Sequence, residues 1–127
     1  MLGSGLAQSC SLPPNPSDAR HELQALLSAS AWPGDADAVV LAVHEAIMNS
    51  ELHAGGATAA TAQTDGTTVV VEVHDGGPGF DIDGHARHPP DPLAERGRGL
   101  WLISQIAHGW ELERQCGRTC LRLVFQP

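Results

Sequence analysis

Hydrophobic positions along the chain change period part-way through. Ala19, Leu23, Leu26 and Leu27 recur at helical spacing after Asn15-Pro16-Ser17-Asp18. That lead-in reads as a helix start, with Asn as N-cap, Pro at the first helical position and an acid in the first turn. Pro33-Gly34-Asp35 breaks this helix and opens a second, which runs to about Ala54 and stops at Gly55-Gly56. In the second helix Ala36, Val40, Val43 and Ile47 make one stripe, the expected core face. The period then shortens. Thr67 to His74 is a β-branched strand, Asp65-Gly66 before it signals a hairpin turn, and Thr58 to Gln63 is the expected partner. Leu100, Ile103 and Ala107 mark a third helix ended by Gly109, and Trp110 to Cys116 with Thr119 to Phe125 form a second hairpin. Met1 to Leu12 has room for a short edge strand. This order predicts an α+β fold: a two-layer α/β sandwich with a mixed, mostly antiparallel sheet and three helices on one face.

The 127 residues fit one domain, 1–127, large enough for a real core. A formal net charge of -8 argues against a duplex nucleic-acid binder, which neutralises phosphates with Lys and Arg. A nucleotide ligand stays open, provided Mg²⁺, an arginine or helix-terminal amides offset the repulsion. No apolar run approaches the roughly 20 residues needed to cross a bilayer. The first residues lack the basic start and apolar stretch of a signal peptide, and three cysteines suit reduced thiols, so the expected location is cytoplasmic. Cys116 and Cys120 read as ordinary strand cysteines rather than a disulfide or metal site. Trp32, Trp101 and Trp110 read as core or interface anchors.

Three segments carry candidate chemistry. Glu45, Asn49 and His53 fall at i, i+4 and i+8 on the second helix, roughly opposite its core stripe. A solvated face explains such a trio, and so does an acid and an amide oxygen held in line for a general base and a Mg²⁺ ligand. Asp75-Gly76-Gly77-Pro78-Gly79-Phe80 follows the valine-rich strand and puts a carboxylate at the strand end, where glycines admit a flat ring. A Gly-Pro turn explains the same residues. Arg96-Gly97-Arg98-Gly99-Leu100 opens the third helix, where backbone N–H groups, the helix dipole and Arg98 favour phosphate. It lacks the lysine of a Walker A loop and the preceding strand of a dinucleotide fingerprint. His85 and His88 have no carboxylate or cysteine at metal-ligand spacing and are assigned no metal.

Taken jointly, these residues resemble the ATP-binding boxes of the Bergerat-type (GHKL) ATPases, which include gyrase, histidine kinases and MutL. Glu45-x-x-x-Asn49 matches the N box, Asp75-x-Gly77-x-Gly79 the first glycine box and Gly97-x-Gly99-Leu100 the second. The likeness is greatest to the anti-sigma factor serine/threonine kinase branch, where His-Glu-Ala-x-x-Asn, Asp-x-Gly-x-Gly-Phe and Gly-Arg-Gly-Leu-x-Leu-Ile recur. It covers about Ser17 to Phe125. Met48 departs from it, standing where relatives often carry a small or hydroxylated residue.

The resemblance implies ATP and Mg²⁺ as cofactors. Asn49 would coordinate the Mg²⁺ that bridges the triphosphate, and Glu45 would take the proton of a substrate serine hydroxyl. Asp75 would accept the adenine amino group, with Gly77 and Gly79 making room for the base. Gly97, Arg98, Gly99 and Leu100 would line the phosphates. Asp81 to Arg96 would form an ATP lid, with either Arg87 or Arg96 open as the γ-phosphate contact. The implied partners are an anti-anti-sigma (STAS-type) protein and a sigma factor, with no nucleic acid or membrane, and a homodimer is a candidate assembly.

The expected function is therefore an ATP-dependent kinase that phosphorylates the anti-anti-sigma partner and sequesters the sigma factor. The alternative is a non-catalytic ATP-binding switch that docks a regulatory protein. A two-component histidine kinase ranks lower, because the residues before the second helix leave too little room for a phospho-accepting hairpin. A structural protein with accidental glycine boxes would bind no nucleotide.

Overall fold

The computed structural model describes residues 8–54, 57–76, 98–115 and 118–127. Its elements in chain order are β1 (Gln8–Leu12), α1 (Pro16–Ala29), α2 (Ala36–Ala54), β2 (Ala57–Thr64), β3 (Val69–Asp75), α3 (Arg98–Ile106), β4 (Gly109–Gln115) and β5 (Arg118–Phe125). The strands form one sheet in the order β1-β2-β3-β5-β4. The fold is the expected α+β two-layer sandwich. All four described pairings are antiparallel, so the mixed pairing foreseen for the sheet is not present among them.

Local chemistry accounts for the boundaries. Asn15 Oδ1 accepts from the N–H groups of Ser17 and Asp18 at 2.9 and 3.1 Å, capping α1, whose apolar stripe Ala19, Leu23, Leu26 and Leu27 is buried. Asp35 Oδ1 accepts from Ala38 N–H at 3.1 Å at the start of α2. Between these helices the Trp32 indole N–H donates to the Thr67 carbonyl at 2.9 Å, pinning the linker to the β2–β3 turn. Gly34 is required there: a Cβ on it would stand 2.3 Å from the Trp32 ring.

The β2–β3 turn is wider than the sequence pattern implies. Asp65 Oδ1 accepts from both Thr67 and Thr68 N–H at 2.8 Å, which diverts those residues from the ladder, so β3 starts at Val69 opposite Thr64. From there the strand alternates. Val69, Val71, Val73 and Asp75 face the helices and are buried, while Val70, Glu72 and His74 face away and are half-buried. On β5, Thr119, Leu121, Leu123 and Phe125 continue the inner face.

Helix α2 is the centre of the helical layer and contacts α1, α3, β2 and β3. Val39, Ala42, Ala46 and Ser50 are buried in addition to Val40, Val43 and Ile47, so the expected stripe is only part of its covered surface. The alanines at 42 and 46 let neighbouring elements approach closely.

Candidate functional site

Asp75 is the last inward-facing residue of β3, after three buried valines, and is itself buried. It pairs with Thr119 on β5, also buried, and with Ala57 on β2. A carboxylate in such surroundings needs hydrogen bonds to offset its desolvation. One comes from α2: Ser50 Oγ lies 3.1 Å from Asp75 Oδ2, and 3.3 Å from the Ala46 carbonyl one turn back. Ser50 was not among the expected site residues. Its signal was its place beside Asn49 on a helix whose other inward positions are apolar.

On the adjoining flank of α2, Glu45 and Asn49 face the start of α3. A Cβ on Gly99 would lie 2.8 Å from Glu45 Oε2 and 3.5 Å from Asn49 Nδ2, so this glycine lets α3 approach the two polar side chains. The pair is half-buried rather than on an open solvated face. The reason is angular. At about 100° per residue Asn49 falls about 20° from Ala42 around the helix, at the margin of the buried arc that α3 completes. Asn49 Nδ2 is buried without a hydrogen-bond partner among the described residues. The ends of an amide interchange by a flip, so Asn49 can present either a donor or an acceptor to what occupies that space. This orphaned amide beside the N-terminus of a helix suits an Mg²⁺–phosphate group.

Helix α2 therefore joins the two ends of the site. Ser50 touches Asp75, and its chain neighbour Asn49, with Glu45, meets Gly99. Leu100 is buried in the core, which leaves its backbone rather than its side chain to face a phosphate. Arg98 begins α3, and His53 lies in the last turn of α2. Gly77, Gly79, Gly97 and the lid segment 81–96, with Arg87 and Arg96, lie outside the described residues, as do the side chains of Arg98 and His53.

A family model described as "Histidine kinase-like ATPase domain" matches residues 11–125. The chain belongs to that family. None of the curated proteins compared with it matches. A histidine kinase-like ATPase domain binds ATP. Among the described residues no helix of this ATPase domain is long and apolar enough to cross a membrane.

Proposed function

We propose that this ATPase domain is an anti-sigma regulatory factor: it uses Mg-ATP to phosphorylate a serine or threonine on an anti-anti-sigma partner of the STAS type, and it sequesters a sigma factor in the cytoplasm. The observation that carries the kinase reading is the Glu45 carboxylate standing beside Asn49 and against Gly99. A domain that only bound ATP would have no use for an acid at that point.

In the proposed reaction the partner's hydroxyl oxygen attacks the γ-phosphorus, the bond to the β,γ-bridging oxygen breaks, and ADP leaves. Glu45 takes the hydroxyl proton. Asp75, held by Ser50, accepts from the adenine amino group and sets the direction of the nucleotide. Asn49 would hold Mg²⁺, which when bound neutralises phosphate charge. The amides of Gly99 and Leu100 at the start of α3 add partial positive charge. Phosphoryl transfer asks for little beyond such positioning and neutralisation.

The test separates binding from transfer. Glu45→Ala is expected to keep ATP affinity within a few-fold while transfer to the partner falls by about 10²–10⁴. Asn49→Ala should lose Mg-ATP binding and transfer together. Unchanged transfer in a folded Glu45→Ala protein overturns the kinase reading and leaves the ATP-dependent switch. ATP binding that persists undiminished in excess chelator overturns the role of Asn49.

A further inference from the structure

The face of the sheet turned away from the helices carries a second cluster. Glu72 and His74 are two residues apart on β3 and project to that same face. Cys120 on β5 stands directly opposite His74 in the register, and Glu113 on β4 stands opposite Cys120. One oxygen of Glu72, one ring nitrogen of His74 and Cys120 Sγ lie within 4.8 Å of one another, and all three residues are half-buried. The Sγ to His74 Nε2 distance is 3.7 Å. Ligand atoms around a tetrahedral ion with bonds of about 2.0–2.3 Å are about 3.3–3.8 Å apart, so sulfur and nitrogen already have the needed spacing. A rotamer adjustment at Glu72 brings in the oxygen.

We propose that Glu72, His74 and Cys120 form a binding site for one borderline-soft divalent transition-metal ion, of which Zn²⁺ is the representative, on the open face of the sheet. The donor set selects the ion class. A thiolate and an imidazole favour zinc-like ions, whereas Mg²⁺ and Ca²⁺ take oxygen ligands. The site is distinct from the nucleotide site, although the two share strands: His74 and Cys120 are the chain neighbours of Asp75 and Thr119, and adjacent strand residues point to opposite faces.

The local charge agrees with a cation site. Glu72 and Glu113 lie close enough to Cys120 to place negative charge beside it, with Arg122 opposing them. Arg122 also stands opposite Glu72 in the register, so its positive charge works against an incoming ion there. Binding replaces the thiol proton, which passes to solvent, with the metal–sulfur bond.

The experiment is a titration of the tag-free, reduced, nucleotide-free protein with Co²⁺ in excess Mg²⁺, followed by displacement with Zn²⁺. One equivalent of Co²⁺ per chain should bind with a thiolate-to-metal charge-transfer absorption that Zn²⁺ abolishes. Cys120→Ser should remove the absorption. His74→Ala and Glu72→Gln should each weaken Co²⁺ binding by more than about tenfold. A Cys10→Ser, Cys116→Ser double variant should retain both stoichiometry and absorption. Far-ultraviolet circular dichroism matching wild type is the condition for reading each variant, and Cys120→Ala replaces Cys120→Ser if the latter unfolds. The proposal is overturned by a wild-type protein without the thiolate absorption, by absorption surviving in Cys120→Ser, or by its loss in the Cys10, Cys116 double variant. None of these readings uses ATP, so failure here leaves the kinase proposal standing.

Discussion

Ser50 Oγ on α2 lies 3.1 Å from Asp75 Oδ2 at the end of β3, and both residues are buried. This contact ties the carboxylate assigned to adenine to the helix that carries Glu45 and Asn49. On the proposed assignment, one rigid element would set both the position of the base and the position of the phosphates.

Asp75→Asn is expected to weaken ATP binding by about 10- to 100-fold, because a buried hydrogen bond to a charged group contributes about 1.5–3 kcal/mol. The preference for ATP over GTP should shrink with it, since an amide can donate to a guanine carbonyl where a carboxylate only accepts. Ser50→Ala should produce a smaller loss, about 0.5–1.5 kcal/mol. Isothermal titration with both nucleotides checks this, and an Asp75→Asn protein with wild-type ATP affinity refutes the assignment.

Gly99→Ala places a methyl group 2.8 Å from Glu45 Oε2, and that atom is the free end of a flexible side chain. The carboxylate can swing aside at little cost to the fold, so the melting temperature should change by only a few degrees. Transfer to the partner should nevertheless fall, by up to about 10²-fold for a displacement near 1 Å. A folded variant with full transfer would show that the Glu45 position does not matter to the chemistry.

Ala31 follows α1 with φ 51°, in the left-handed region, while its N–H and that of Trp32 donate to the Ser28 and Leu27 carbonyls at 3.1 Å. That is a helix cap normally filled by glycine. Ala31→Gly should stabilise the domain by about 0.5–1 kcal/mol, the relief of Cβ strain exceeding the added freedom of the unfolded chain. Urea denaturation measures it, and an unchanged or lower midpoint would contradict the strain argument.

The Asp65 carboxyl has its pKa held below the ordinary aspartate range, first by the Thr68 and then by the Thr67 backbone N–H. A carboxylate depressed in the folded state stabilises it fully above the unfolded value, and the benefit disappears as pH falls through the folded one. Wild type and Asp65→Ala should therefore differ in melting temperature at neutral pH and converge in acid, below the ordinary aspartate range. A gap that persists there would assign the effect to something other than the ionised side chain.

The sequence by itself determined the elements and their order. Capping residues, breakers and the change of apolar period are local signals, so α1, α2, β3 and the final hairpin were readable without a partner. The residue pattern starts β3 at Thr67 and the structure at Val69, because the Asp65 side chain takes two N–H groups that a strand pattern assigns to the ladder. The spacing of Glu45, Asn49, Asp75 and Gly99 was visible too, but not that the flank of α2 bearing Glu45 and Asn49 would be covered. Only packing decided that, because α3 closes over a polar flank that periodicity alone assigns to solvent. Ser50 and the Glu72–His74–Cys120 cluster were legible only in three dimensions. Both depend on side chains from distant segments meeting across an interface or a register, and the 25-position separation of Ser50 and Asp75 leaves no local trace of that contact.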